Sequence, residues 1–433
     1  MTRPLLMALA LLMSAGAALA TPPSVPAIDA PALAALGPFA VGFESLTLTQ
    51  PGQADVLNPD RATGALPLKD RVLPTDVWYP AEASTSRATA YVGALTGEDG
   101  KDVAFVTEGV ARSGARPKTG SFPLVVLAHG YGGTPSAMTW LAENLASKGY
   151  VVVAPHFQDP AYGDTAGFVG PLARRPLDMA FVAAAAQARA REGRGVFAAA
   201  DPARTVLIGY SMGGYGVLTA AGAPLSPRLA SLTRGALAPF VAGAVRAPDL
   251  KVARVAAVIA ISPAGLFGGA DAWASPGLGA ITAPLLVIVG SQDRVVGYDP
   301  GARTLWERAI HAPRYLLTFQ NGGHSIGMNP APETMRGRLW DQDWFEDPVW
   351  RKARVIGIEL HFITAFLDRY VKSDPAAVAY LDVPSPVSND GVWPVKPGEP
   401  YAAFSPGTPP GTIWKGFQRA HSAGLELRFA PAS

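Results

Sequence analysis

Thr205-Val-Leu-Ile-Gly-Tyr-Ser-Met-Gly-Gly-Tyr-Gly-Val-Leu-Thr-Ala-Ala221 is the stretch whose reading decides the fold. Its first four residues are β-branched or aliphatic, as a parallel strand buried on both faces requires. Its last nine are mostly small and apolar, as a helix packed closely on a sheet requires. Between them lies Gly209-Tyr210-Ser211-Met212-Gly213, a Gly-x-Ser-x-Gly. Between a strand and a helix this pentapeptide reads as a nucleophile elbow. The serine sits on a tight, strained turn that lifts its hydroxyl clear of the sheet, and the glycines remove side chains that would collide.

A serine hydroxyl becomes a useful nucleophile only when a base takes its proton and a third group holds that base in the right tautomer. With such an elbow the chain order is serine, acid, histidine. Pro284-Leu-Leu-Val-Ile-Val289 reads as another buried strand and ends in Gly290-Ser-Gln-Asp293. Asp293 therefore lies just past a strand's C-terminal end, where the loops of a parallel sheet build the site. A helical stretch around Thr304 to Ile310 and a last strand, Tyr315-Leu-Leu-Thr-Phe319, lead to Asn321-Gly-Gly-His324. Ser211, Asp293 and His324 are the expected triad. The other histidines, His156, His311, His361 and His421, have neither a catalytic partner nor a metal-ligand spacing. No cysteine is present to supply thiolate, so no metal or cofactor is expected.

Acyl chemistry also needs N–H donors where the oxyanion forms. Met212, directly after the nucleophile, is one expected donor. The strand Phe122-Pro-Leu-Val-Val-Leu-Ala128 opens into His129-Gly-Tyr-Gly-Gly133, and the Tyr131 N–H is the expected second donor. Tyr131 and Tyr210 would also bring aromatic surface beside the nucleophile, either for an apolar acyl or aryl group or as packing.

The chain has 433 residues, a formal charge of +2 and only 16% charged residues, with no basic run. A large interior and a cleft for neutral or weakly polar small-molecule substrates suit that balance; a nucleic-acid surface does not. Arg3, the apolar Leu5 to Met13 and Ala18-Leu-Ala20 read as an export signal over 1–20, giving a periplasmic or secreted protein that starts at Thr21. No second stretch reads as a membrane span. Residues 21–40 form a Pro/Ala-rich lead-in, and 41–372 one doubly wound α/β domain with a mostly parallel sheet and antiparallel N-terminal strands. Strand character lies at Val41 to Leu48, Arg71 to Tyr79 and Ala88 to Leu95. Helices are expected at Ser136 to Lys148, Leu177 to Arg189, Tyr215 to Ala221 and Val355 to Val371.

Residues 223–251 read as a candidate cap and 325–349 as a lid or substrate wall. The second segment offers Trp340 and Trp344 as substrate contacts, and its acidic residues, Asp341, Asp343, Glu346 and Asp347, read as a solvated loop in preference to a cation site. The Pro/Gly-rich tail 373–433 carries Trp393, Phe404, Trp414 and Phe417, which suggests that it packs on the domain.

With these motifs in place the chain resembles α/β-hydrolases of the predicted dienelactone hydrolase group. That group is related to the platelet-activating-factor acetylhydrolases and, more distantly, to bacterial polyester-degrading cutinases. The resemblance covers roughly Arg71 to Lys372. It rests on Arg71-Val-Leu-Pro-Thr-Asp-Val-Trp-Tyr-Pro80, His129-Gly-Tyr-Gly-Gly133, Leu145-Ala-Ser-Lys-Gly-Tyr150, Arg175-Pro-Leu-Asp178, Gly209-Tyr-Ser-Met-Gly-Gly214 and Asn321-Gly-Gly-His324. It implies an α/β-hydrolase fold, the same triad and oxyanion donors, no cofactor, and hydrolysis of carboxylic esters. The dienelactone hydrolases proper use a cysteine nucleophile, which this chain lacks. Two other readings stay open: amide, peptide or lactone cleavage by the same triad, and a catalytically silent fold used for binding.

Overall fold

Continuous aliphatic runs make the central strands, and strict alternation splits their side chains between two cores. The computed structural model describes residues 21–275, 277–392, 413–418 and 422–433. The expected export signal, Trp393, Phe404 and His421 lie outside the described residues. The strands are β1 Ala40–Ala54, β2 Leu68–Ala81, β3 Ala88–Thr96, β4 Asp102–Ser113, β5 Phe122–Ala128, β6 Val151–Pro155, β7 Ala200–Tyr210, β8 Val255–Ile261, the two-residue pair β9 Leu266–Phe267 and β10 Ala270–Asp271, β11 Leu285–Gly290, β12 Arg314–Phe319 and β13 Leu425–Ala430. Helices are α1 Thr139–Ser147, α2 Val169–Arg191, α3 Met212–Ala220, α4 Arg228–Leu232, α5 Thr304–Arg308, α6 Leu339–Asp343, α7 Lys352–Tyr370 and α8 Val378–Leu381.

Among the described residues, one sheet runs β13-β12-β11-β8-β7-β5-β6-β2-β1-β4-β3. Strands β6, β5, β7, β8, β11 and β12 are parallel to their neighbours in that run. The N-terminal β1 and β2 pair antiparallel, and β2 meets β6 antiparallel. Along β7, Val206 and Ile208 point into the core shared with α1 and α7. Leu207 points into the opposite core, with α2 and α3. Residues at i and i+2 share a face of a strand, so helices cover both sides and the sheet interior stays dry. This is the expected α/β-hydrolase fold.

Several boundaries differ from those expected. The lead-in is stitched to α1: Ser24 Oγ donates to Glu143 at 2.6 Å, and Asn144 Nδ2 donates to the Ala34 carbonyl at 2.9 Å. Helix α2 begins at Val169 and runs through Pro176, instead of starting after it. Strand β4, whose residues pair along β3, was not foreseen.

The largest correction concerns the domain end at 372. Strand β13 pairs antiparallel with β12 over its whole length, Leu317 opposite Leu427, so the tail supplies a sheet strand as well as packing. Without it β12 would present an unpaired edge. Trp414 and Phe417 are buried against Phe362 of α7, the packing expected of the tail. The candidate cap 223–251 is the other correction. Leu225, Leu229 and Leu237 bury in the α2–α3 core, and none of its residues lines the cleft described below.

Candidate active site

Strand β7 ends at Tyr210 and α3 begins at Met212, leaving Ser211 alone to make the turn at φ 54° and ψ −117°. That is a strained backbone for any residue with a Cβ. It persists because the surroundings leave no alternative. A side chain at Gly213 would place its Cβ 2.2 Å from the Ala128 carbonyl oxygen, and one at Gly209 would come 2.3 Å from the Gly213 carbonyl oxygen. Strand, turn and helix therefore interlock only with glycine at both positions.

The three expected residues meet. His324 Nε2 lies 3.0 Å from Ser211 Oγ, and His324 Nδ1 lies 2.8 Å from Asp293 Oδ2. The carboxylate can only accept from Nδ1–H, which leaves Nε2 free to accept the Ser211 hydroxyl proton. Asp293 Oδ1 accepts the N–H groups of Val295 at 2.9 Å and Val296 at 3.0 Å. Burial works against the charge on Asp293. The hydrogen bond from His324, its charge and the two backbone donors outweigh burial, and the carboxyl is held below its ordinary value. Asp293 therefore stays ionised beside the imidazole.

The Met212 N–H opens α3, where an amide has no partner within its helix and the helix dipole favours negative charge. Tyr131 stands across from it on the loop after β5, and both residues line the cleft beside Ser211. The loop carrying Tyr131 is braced from behind. His129 Nε2 accepts the Phe157 N–H at 3.2 Å, so Nδ1 carries the proton and donates to the Gly130 carbonyl at 2.7 Å. Burial, with the charge of Arg175, holds His129 well below its ordinary value and keeps it neutral. Arg175 donates to the His129 carbonyl and, at 2.6 Å, to Asp159, which also accepts the Gly132 N–H at 3.1 Å. The Arg175 guanidinium lies 3.7 Å from the centre of the Phe157 ring. One buried ion pair thus grips the loop on both sides of Tyr131. Arg175-Pro-Leu-Asp178 stood out in the sequence, but neither the role of Arg175 nor its partner Asp159 was readable there.

Ser211 opens into a cleft of about 790 Å³. Its walls come from loops after successive strands: Tyr162 and Phe168 after β6, Ala264 to Phe267 after β8, Val295 to Gly297 after β11, and Met328, Trp340 and Trp344 after β12. Tyr162 packs edge-on against Trp344 at 4.9 Å and Trp340 at 6.2 Å between ring centres. Trp340 and Trp344 are wall residues, as expected. Tyr210 also reaches the cleft, but it is 6% exposed and its ring packs on His324, so packing dominates. Tyr131 is half-buried between Tyr162 and Phe168, with ring centres 5.6 and 5.2 Å away.

The segment after His324 walls the cleft and is hydrogen-bonded to the far hairpin of the sheet. Asp341 accepts the Glu98 N–H at 2.8 Å, Trp344 Nε1 donates to the Thr96 carbonyl at 2.9 Å, and Thr334 donates to the Ala104 carbonyl at 2.9 Å. The reading of its acidic residues as a solvated loop holds for Asp343 alone. Asp341 and Asp347 are buried and Glu346 is half-buried, and each accepts backbone N–H groups. The remaining described histidines serve elsewhere: His156 pairs with Asp76, His311 meets the Gly279 carbonyl, and His361 is buried beside Phe417. Among the described residues no helix is long and apolar enough to cross a membrane.

Residues 115–263 match the family described as PET hydrolase-like. The match takes in the His129–Gly133 loop and the elbow and stops before Asp293 and His324. A solved structure, the ferulic acid esterase from Streptomyces cinnamoneus, aligns with a TM-score of 0.53 at 23% identity, covering 80% of this chain and 94% of that one. That likeness shows the fold. None of the curated proteins matches the sequence.

Proposed function

We propose that this α/β-hydrolase is an exported serine esterase that cleaves neutral carboxylic esters through an acyl-enzyme. The observation that carries the reading is the line from Ser211 Oγ through His324 to Asp293, 3.0 and 2.8 Å, at the floor of an aromatic-walled cleft. The PET hydrolase-like match over the elbow and oxyanion loop supports it. The export part rests on the leader-like residues 1–20.

In this mechanism Ser211 Oγ attacks the ester carbonyl while His324 Nε2 takes its proton. The Met212 and Tyr131 N–H groups receive the oxyanion, and Asp293 stabilises the imidazolium. His324 then gives the proton to the departing alcohol. Water, activated by the same nitrogen, releases the acid and restores Ser211. Among the described residues no Arg or Lys lines the cleft, while Tyr131, Tyr162, Phe168, Trp340 and Trp344 do, with Asp164 and Asp343 as the charged groups. The aromatic walls favour esters with an aromatic or apolar group, the two carboxylates disfavour anionic ones, and a ferulic acid ester is one substrate to try.

The test is hydrolysis of p-nitrophenyl esters of increasing acyl length, and of matched amides, by wild type and Ser211→Ala. Wild type should cleave the esters far faster than the amides. Ser211→Ala should lose turnover by about 10⁴-fold or more. Inert wild type, or a mutant that keeps its rate, would sink the esterase reading.

A further inference from the structure

We propose that Asp347 and Lys352 form a clamp that positions the general base, one on each side of His324. The inference rests on the reading of Ser211, Asp293 and His324 as a triad. The loop carrying His324 is rich in glycine. Gly322 is fixed by its close approach to Gly290 and by the Gln292 N–H, which donates to its carbonyl at 2.8 Å, and beyond it the hold passes to side chains. Three consecutive residues of it are each gripped by a side chain from elsewhere. Asp347 Oδ2 accepts the Gly323 N–H at 2.6 Å. Tyr210 Oη donates to the His324 carbonyl at 3.1 Å. Lys352 Nζ donates to the Ser325 carbonyl.

Neither clamp residue is a free surface charge. Asp347 is 8% and Lys352 4% exposed. Asp347 is itself locked, because its Oδ1 accepts the N–H groups of Val349 at 2.9 Å and Trp350 at 2.7 Å. Lys352 is the first residue of α7, a long helix buried along the sheet. A charge-assisted bond from a locked carboxylate and a buried ammonium on a rigid helix thus converge on one short loop. Neither residue touches the reacting atoms. Their effect passes through the His324 backbone to the imidazole, which must lie within hydrogen-bond reach of Ser211 in every turnover.

The test uses Asp347→Asn and Lys352→Met in the full-length protein. Each is assayed for p-nitrophenyl ester turnover and for the rate at which a fluorophosphonate labels Ser211. Misplacing a catalytic group by about 1 Å costs roughly 10²-fold. A kcat loss of about 10- to 100-fold is therefore expected, with KM nearly unchanged and labelling slowed in parallel. In a His324→Ala background the same substitutions should lower the residual rate no further, because no base remains to misplace. A structural role would lower that residual rate too.

Wild-type kcat and labelling in both variants would overturn the clamp while leaving the esterase reading intact. So would equal losses with and without His324. Failure of both variants to fold would overturn it as well, because the residues would then be holding the domain and not the base. Wild type that neither turns over esters nor reacts with the probe would overturn the triad reading, and the clamp with it.

Discussion

The two halves of the proposed catalytic site are built on different principles. The proposed nucleophile, and the Met212 amide beside it, sit on a turn whose geometry follows from local sequence: a buried strand, a turn with flanking glycines, a helix. Ser211 keeps its strained φ of 54° because β7, α3 and the end of β5 approach too closely to allow anything else. The proposed base sits on a loop that also packs closely, since a Cβ at Gly290 would come 2.2 Å from the Gly322 carbonyl oxygen. Beyond Gly322 the loop exchanges this steric hold for hydrogen bonds. Its position comes from side chains far along the chain, such as Asp347, which meets a backbone group 24 residues before it. Local steric compulsion makes a site legible and brittle. Remote hydrogen bonding makes one that degrades by degrees.

That contrast is sharpest at the elbow. Gly213→Ala drives a Cβ to 2.2 Å from a backbone oxygen that cannot move without shifting β5. Overpacking of this kind costs about 3 kcal/mol or more. We expect a large fall in Tm together with loss of esterase activity, read by calorimetry and p-nitrophenyl ester turnover. A Gly213→Ala protein with native Tm and rate would break the claim that the elbow is sterically compelled.

A graded loss is expected behind the oxyanion loop, which combines glycine-rich local sequence with remote support. Asp159→Asn leaves Arg175 buried without its counter-ion, and breaking such a pair costs about 3 kcal/mol. Turnover should fall by roughly 10-fold as the Tyr131 amide loses its brace. Urea unfolding beside steady-state kinetics measures both. Unchanged kcat in the folded variant would show that the loop holds itself, as the elbow does.

The smallest effect concerns acid stability. Asp293 has a folded-state pKa below its ordinary 3.8, so its ionised form adds stability above that value. The contribution fades as pH falls through the depressed pKa. Asp293→Asn lacks this contribution, so its stability relative to wild type should improve between pH 6 and pH 3. Urea midpoints at the two pH values decide it, and a gap that stays constant would refute the linkage.

Much of the site was legible because its placement follows chain order. Continuous apolar runs announce β7, β11 and β12, and the residues just past their C-terminal ends must share one edge of the sheet, so Ser211, Asp293 and His324 converge. Trp340 and Trp344 were legible as candidates, since a long aromatic insertion after the base has few other places to go. Asp347 was not, because Glu346-Asp347-Pro348 looks like a solvated turn until its partner at Gly323 is seen. The tail strand was missed for a related reason. Leu425-Glu-Leu-Arg-Phe429 alternates as a strand should, but only the open edge of β12 gives it a place.

From the sequence came the doubly wound fold, the elbow and the three residues proposed as the triad, because strand periodicity, glycine sterics and chain order are short-range properties. The tertiary structure was needed to see which charges are buried, that 223–251 packs beside the sheet, and that the segment after His324 is hydrogen-bonded to the β3–β4 hairpin. It also decided which side chains hold the base in place. Those outcomes depend on hydrogen bonds and apolar contacts between residues tens or hundreds of positions apart, and no local pattern specifies such partners.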